Sequence, residues 1–480
     1  MRRLPEILFV FAAATLVVAS PGRGADLYVG VAEVNITHAQ PMALWGQMHT
    51  RISKSVESPV MAQVVALESR EGDRPLDSAI MVSADIIGLP HAVLVALRER
   101  VAERLPDFDV QKLFVSGTHT HTGPVFGETA YQIPKEGVVQ PTEYAQFFVE
   151  RVSEAAAAAW QDRQRGAVAW GLGHAVVGQN RRAVYADGRA VMYGRTNQPD
   201  FRGLEGYEDH AVEVLFFFDR QKKLLAAAIN LACTAQEVEG HSAVNADFFH
   251  EVREALREKY DRDLKILGWI GAAGDQSPHL MFRQRAEDRM RELRRLTRLQ
   301  EIARRIAVAF DEAYDGAKQD VRNDVVLAHR VSRLDLPVRM VTDEEAAAAK
   351  AKVESLSKDP ANHTLVGWHQ RIVDRHANQT MHSTHEIEIH VLRLGDVAIT
   401  TNPFELFVDF GVQIKARSPA LQTFVVQLVG IEGYLPTAQA VRGGGYSAVA
   451  ESNTVGPEGG QVLVDRTVDL VKSLWPEPQR

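Results

Sequence analysis

The chain has 480 residues, 45% of them hydrophobic and 24% charged, with one cysteine and a formal net charge of −8. These are globular proportions, so a disordered, collagenous or coiled-coil chain is excluded. With 54 Lys and Arg against 62 Asp and Glu there is no basic surplus to neutralise phosphates, which argues against nucleic acid as a partner. A single cysteine excludes an intramolecular disulfide framework and every multi-cysteine zinc motif.

At the N-terminus, Arg2 and Arg3 precede the apolar run Ile7–Ala19, and Ser20-Pro21-Gly22 follows it. A short basic region, 13 mostly apolar residues and then small residues read as a secretory signal peptide over residues 1–25. A membrane span would take about 20 apolar residues. Residues 26–480 are therefore expected to be exported, periplasmic or secreted, either soluble or in peripheral contact with a membrane.

Further along, β-branched alternation predicts strands at Leu27–Thr37, Met61–Ser69 and Ser78–Ser83. Pro90–Leu105, with helical apolar spacing and a leading proline, predicts a helix. Asp109–Ser116 returns to strand and runs into Gly117-Thr118-His119-Thr120-His121-Thr122-Gly123-Pro124. Pro141–Arg163 reads as helix, and Ala167–His174, Ala211–Phe218 and Leu224–Leu231 read as strands. Asp247–Tyr260 is an amphipathic helix and Leu264–Ile270 a buried strand.

From Phe282 to Tyr314 the pattern is helical and arginine-rich. The interspersed acids Glu287, Asp288, Glu292 and Glu301 mark a solvated face rather than a nucleic-acid stripe. Strands follow over Val325–Val338, a capped helix over Thr342–Ser357, and strands over Thr384–Leu394 and Val397–Thr401. Pro403–Lys415 reads as helix, Thr423–Leu428 as strand and Gly460–Trp475 as a closing helix. With no internal repeat or long linker, the succession implies one mixed α/β (α+β) domain, a large mixed sheet flanked by helices. In such folds ligands sit at the carboxyl ends of strands.

Three groups of residues could carry chemistry. In an extended segment, His119 and His121 point to one side, and neutral imidazole is the commonest zinc donor. Hydrogen-bonded loop histidines are the alternative, and two histidines alone do not close a zinc site. Asp275 and Ser277, in Gly274-Asp275-Gln276-Ser277-Pro278-His279, offer a hydroxyl and a proton acceptor two residues apart. The alternative there is a helix N-cap with proline at the first helical position. Glu405, Tyr434 and Tyr446 each have an ordinary loop or helix-start explanation.

In their order, Val29–Thr37 (VGVAEVNIT), Val82–Asp85 (VSAD), Ser116–Pro124 (SGTHTHTGP), Gly274–Pro278 (GDQSP), Pro403–Glu405 (PFE) and Gly433–Thr437 (GYLPT) resemble the motifs of the neutral/alkaline, non-lysosomal ceramidases. SGTHTHTGP is the most specific of them. The resemblance implies a zinc amidohydrolase that cleaves the N-acyl bond of ceramide, releasing a sphingoid base and a fatty acid. Carried over by position, it implies His119, Glu405 and Tyr434 as Zn²⁺ ligands and His121 in the substrate pocket, supporting the oxyanion. It implies Ser277 and Asp275 as catalytic residues beside the metal and Tyr446 as a substrate contact. The family's pocket arginine falls on Asn180-Arg181-Arg182, either Arg181 or Arg182.

The family's remaining ligand, a histidine 14 residues before an aspartate that Asp247 matches, falls on Cys233. A thiolate is a good zinc ligand, so the resemblance with this exchange implies Cys233 as the fourth ligand, with His241 or Gln236 as alternatives. A buried, inert cysteine is the plainer reading of that residue. The family's additional C-terminal β-sandwich domain is not expected here.

Three functions follow as readings. The first is hydrolysis of ceramide or a similar N-acyl lipid, by metal-activated water or through a Ser277 acyl intermediate. The second is hydrolysis of another N-acyl or ester substrate; the third is an exported binding protein with a decayed metal site. No obligate protein partner is expected.

Overall fold

A computed structural model describes residues 24–127 and 131–475; the expected signal peptide lies almost wholly outside the described residues. The first sheet has nine strands. In chain order its long members are β1 (Ala25–Asn35), β2 (Met61–Glu71), β3 (Arg74–Ala84), β4 (Leu113–Gly117), β5 (Gln164–His174), β6 (Ala211–Asp219), β7 (Leu224–Leu231) and β8 (Lys265–Ile270). Their spatial order is β8-β7-β6-β5-β1-β2-β3-β4, with Asp324–Val325 added beside β1. The β7–β8 and β3–β4 pairs are parallel and the others antiparallel.

A second sheet, in the order β9-β10-β11-β12, comprises β9 (Leu327–Pro337), β10 (Thr384–Leu394), β11 (Val397–Thr401) and β12 (Gln422–Val426). Its β11–β12 pair is parallel.

Side-chain alternation explains why both sheets are buried on two faces. In β2, Ala62, Val64 and Ala66 face helices while Val65 and Leu67 face the second sheet. In β6, Val214, Phe216 and Phe218 face helices and Leu215 and Phe217 face the second sheet. From the other side, Leu392, Leu394, Val397, Ile399, Phe424 and Val426 meet them. The nearly continuous apolar runs of these strands are what a strand buried on both faces requires.

The outer layers are helical. α1 (His91–Arg104) and α2 (Pro141–Gln161) cover one half of the large sheet through Leu97, Val101, Phe148 and Val152. α3 (Phe248–Lys259) and α5 (Arg298–Ala317) cover the other through Val252, Leu256, Ile306 and Phe310. Between those two helices in sequence lies the surface helix α4 (Gln284–Arg294). α6 (Asp343–Leu356) and α7 (His363–Asn378) form a hairpin between β9 and β10. α8 (Val408–Arg417) and α9 (Pro457–Ser473) cover the small sheet. The molecule is therefore a helix–sheet–sheet–helix stack, and the mixed α/β expectation holds with two sheets in place of one.

Four local expectations are corrected. The arginine-rich helix breaks at Arg295, which adopts φ +59°, and Thr297 opens α5 with a capping box to Gln300. α7 was not foreseen. Pro403–Phe404 is a bend, Glu405–Leu406 is extended and paired in parallel to Tyr434–Leu435, and the helix begins only at Val408. Gln276–Ser277 is a short strand paired with Gln179–Asn180 rather than a helix cap.

Beneath the large sheet's helical face, Arg253 of α3 grips Asp85 at 2.7 and 2.9 Å, and both are fully buried. Asp85 also accepts from Met61 N and Thr118 Oγ1, so it ties the end of β3 to the loop that carries the histidines. Removing one member of a buried pair strands the other charge. Arg253→Ala is expected to lower unfolding free energy by about 3–5 kcal/mol, measured by urea denaturation.

Candidate active site

Loops leaving the carboxyl ends of β4, β7, β8, β11 and β12 meet at one end of the stack. Backbone hydrogen bonds stitch them together: Ala235 N to Thr118 O (3.0 Å), Gly274 N to Leu406 O (2.7 Å), Gln427 N to Ile270 O (2.9 Å) and Glu405 N to Gly433 O (2.8 Å). The packing is tight enough that a side chain at Gly274 would put its Cβ 2.2 Å from the Glu405 carbonyl oxygen. A side chain at this position would push apart the two sheets' loops.

His119 sits here in a left-handed conformation, φ +64°, that residues with a Cβ seldom adopt. Its N–H donates to Ile86 O (2.9 Å), and Nδ1–H donates to Ile87 O (3.1 Å). A carbonyl only accepts, so the proton is on Nδ1 and the Nε2 lone pair is free. That Nε2 lies 3.4 Å from Glu405 Oε2. Glu405 Oε2 is buried without a hydrogen-bond partner. Burial alone would raise the Glu405 pKa, but the Arg181 charge and a hydrogen bond from Tyr434 work against it, and the carboxyl stays below its ordinary range. The Tyr434 hydroxyl is pushed well above its ordinary value by burial and by Glu405.

Of the two candidate arginines, Arg181 is the one that faces these residues. Its Nη1 donates to Tyr193 OH (3.0 Å) and Gln236 Oε1 (3.2 Å), and its Nη2 to Gly274 O (2.9 Å) and Tyr434 OH (3.3 Å). Nη2 also lies 3.8 Å from Glu405. Arg182 points elsewhere: it pairs with Glu205 and donates to Ser447 Oγ and to the carbonyls of Ala440 and Gly444, fixing the Gly443-Gly444-Gly445 segment. Tyr446, 39% exposed, stands at the rim with its ring 5.8 Å from Tyr434 and 5.7 Å from Trp368.

His121 faces a different set. The Gln236 Oε1 accepts from Thr234 Oγ1 (2.8 Å) and Arg181, which orients the amide so that Nε2 donates to His121 Nε2 (2.6 Å). The His121 proton is therefore on Nδ1, 3.3 Å from Glu239 Oε2. Burial holds the His121 pKa below its ordinary value. Glu239 also approaches His279 Nε2 at 3.2 Å. Burial works against the Glu239 carboxylate, yet the two histidines hold its pKa well below the usual range. A cleft of about 520 Å³, lined by Tyr193, Arg195, Glu239, His279 and Met281, reaches this group from solvent.

Ser277 is fully buried; its Oγ accepts from His279 N (3.1 Å) and shares a hydrogen bond with Tyr193. Both oxygens of Asp275 are engaged, one by Val408 N (2.9 Å) and one by Asn180 Nδ2 (3.0 Å). Asp275 thus starts α8 and holds the Arg181 segment in place, and burial raises its pKa to about 6. In this geometry each of its oxygens holds a loop in place.

Cys233 is corrected. Ala227, Ile229, Leu231, Cys233 and Ala235 all enter the apolar layer under α3 and α5, because strand alternation continues past the end of β7. The thiol is fully buried, and burial raises its pKa well above the ordinary value. Among the described residues, no group of three or more His, Cys, Asp or Glu is placed to hold a metal. The alternate residues Thr234 and Gln236 carry the hydrogen bonds that reach His121 and Arg181. The other alternative for that ligand, His241, is half exposed and pairs with Glu57 at 3.1 Å. Glu239, His279 and Tyr193 were missed from the sequence; His279 alone had a signal, adjoining the GDQSP segment.

The donor set can be tested against a divalent ion. His119 Nε2 and Glu405 Oε2 stand as far apart as two donors each about 2 Å from one ion, roughly 3.3 Å. The bare Nε2, the unpartnered Oε2 and the Tyr434 oxygen beside them make a three-residue set that fits such an ion. Thr234 and Gln236 add no further free donor, since their polar atoms are committed to each other, Arg181 and His121.

No protein-family model matches this sequence, and no curated protein is similar to it. Two solved structures share its fold. One is a ceramidase complexed with C2, at a TM-score of 0.67 and 16% identity, covering 94% of this chain and 75% of that one. The other is the neutral ceramidase from Pseudomonas aeruginosa, at 0.67 and 18% identity, covering 95% and 76%. At such identities the likeness is one of fold.

Cys233→Ala is expected to leave bound metal unchanged and to lower stability by about 1–2 kcal/mol, the cost of a small core cavity. Elemental analysis and denaturant unfolding measure the two effects.

Proposed function

We propose that the protein is a hydrolase of the N-acyl amide bond of ceramide or a ceramide-like lipid, with one Zn²⁺ held by His119, Glu405 and Tyr434. The observation that carries this reading is the convergence of a bare His119 Nε2, an unpartnered Glu405 oxygen and the Tyr434 hydroxyl at one point. The shared fold with two ceramidases supports the substrate class. Held by these three residues, a divalent ion would supply Lewis-acid polarisation of an acyl carbonyl and would lower the pKa of a water.

The chain's own residues then divide the work. Arg181 is fixed by four hydrogen bonds and keeps one buried donor, Nε–H, without a partner. Its charge favours the negative charge that grows on a carbonyl oxygen under attack. His121 stays neutral, clamped between Gln236 and Glu239, and forms a wall of the pocket. Its Nε2 accepts from Gln236, so it offers no second N–H to an oxyanion.

His279 is the proton donor for the departing amine. Burial lowers its pKa, but Glu239 overcomes this and raises it, which favours the imidazolium at the edge of the cleft. Ser277 is sealed by Tyr193 and the His279 backbone, which favours attack by water over an acyl-serine.

His119→Ala and Glu405→Ala are each expected to abolish stoichiometric metal and to reduce ceramide hydrolysis at least about 10³-fold. Wild type that holds about one metal per chain but turns over no N-acyl lipid would refute the substrate reading.

A second expectation concerns pH. Glu239 raises the pKa of His279, and activity that needs the imidazolium falls as pH rises through that pKa. Glu239→Gln removes the stabilising charge, so the alkaline limb of kcat/KM should move to lower pH, measured on a soluble short-chain amide.

A further inference from the structure

α4 follows directly on the segment that carries Ser277 and His279, yet none of its residues is buried. Ala286, Met290 and Leu293 follow the spacing of one helix face, and Phe282 stands just ahead of the helix; all four are exposed, the three large ones by 43%, 47% and 60%. A groove of about 520 Å³ between α4 and α5, with Met290 and Val308 in its walls, leaves this stripe without a partner in the core.

The flanks of the stripe are basic. From Arg283 to Arg295 there are six arginines against Glu287, Asp288 and Glu292, a local surplus of three in a chain whose net charge is −8. Arg291 and Arg294 pair with Asp288 and Glu301, and Glu287 is taken by Arg305. Among the described residues, Arg283, Arg285, Arg289 and Arg295 form no ion pair. Leu280 and Met281, which line the cleft, run straight into Phe282, so the stripe and the cleft mouth share one segment.

A surface helix with an apolar stripe and free arginines beside it fits the boundary of an anionic bilayer. The stripe takes the acyl edge, and the arginines take phosphate and carboxylate headgroups. We propose, building on the lipid substrate read above, that Phe282 and α4 form an interfacial anchor that seats the cleft on membranes containing anionic phospholipid.

Sedimentation of the purified protein with vesicles tests this, using phosphatidylcholine alone and phosphatidylcholine mixed with phosphatidylserine. Binding to the mixed vesicles is expected to be at least about tenfold tighter and to weaken as salt is added. The triple variant Arg285→Glu, Arg289→Glu, Arg295→Glu and the double variant Met290→Ser, Leu293→Ser should each weaken it about tenfold or more. Both variants should keep wild-type thermal unfolding and wild-type hydrolysis of a water-soluble short-chain N-acyl amine.

No binding by wild type, or equal binding by wild type and both variants, overturns the anchor. Vesicle binding lost in the variants, from a wild type that cleaves no amide, supports the anchor and refutes the proposed function.

Discussion

A buried guanidinium is costly unless its charge and its N–H groups are answered, and Arg181 meets that cost at the junction of the two sheets. Its partners come from the β7 loop (Gln236), the β8 loop (Gly274 O), the loop after β12 (Tyr434), and Tyr193, with Glu405 as the nearest opposite charge. Each partner is thereby held in place. The same contacts hold the Glu405 carboxyl ionised and orient the Gln236 amide, which in turn sets the tautomer of His121. The Glu405 charge and the His121 tautomer thus both depend on one cation.

The two-sheet stack decides which residues can meet. His119 and Gln236 come from loops of the nine-stranded sheet, whereas Glu405 and Tyr434 come from loops of the four-stranded one. Their register therefore depends on how the sheets are fastened. Gln427 fastens the loops, its Oε1 accepting from Ala273 N of one sheet's loop and Leu406 N of the other's. Asn230 does the same from within β7, donating to Val425 O of β12. These bonds tolerate little slippage, because a shift would leave the amide groups and the backbone groups they engage unpaired in an apolar layer.

Much of this was readable in the sequence, and the failures have physical causes. Strands buried on both faces carry the same apolar runs in either sheet, so periodicity located them but could not divide them between two layers. The Pro-Phe-Glu segment looked like a helix start because the signals that keep it out of the helix are remote: Gly433 O, Tyr434–Leu435 and the Asp275 cap on Val408. For Cys233 the information was present and outweighed by the motif spacing. From Ala226 on, β7 alternates with odd-numbered residues facing the helices, and continuing that count past Leu231 puts Cys233 in the core and Thr234 and Gln236 on the side of the site. Glu239 carried no signal, since its significance lies only in standing between two histidines distant in sequence.

Burial of the site also constrains how a lipid substrate would be presented. The cleft that reaches Glu239 and His279 has about 520 Å³ and is edged by polar groups, room for a head region with an amide but not for two full alkyl chains. The chains of a ceramide-like molecule would have to stay outside, where the exposed Phe282 follows Leu280 and Met281 of the cleft wall. Substrate drawn from a bilayer satisfies that requirement without its chains ever entering water, because they remain in the acyl layer while the amide reaches inward. An average acidic, soluble composition is compatible with such a task, since the few apolar and basic side chains it needs are concentrated on one short helix beside the cleft.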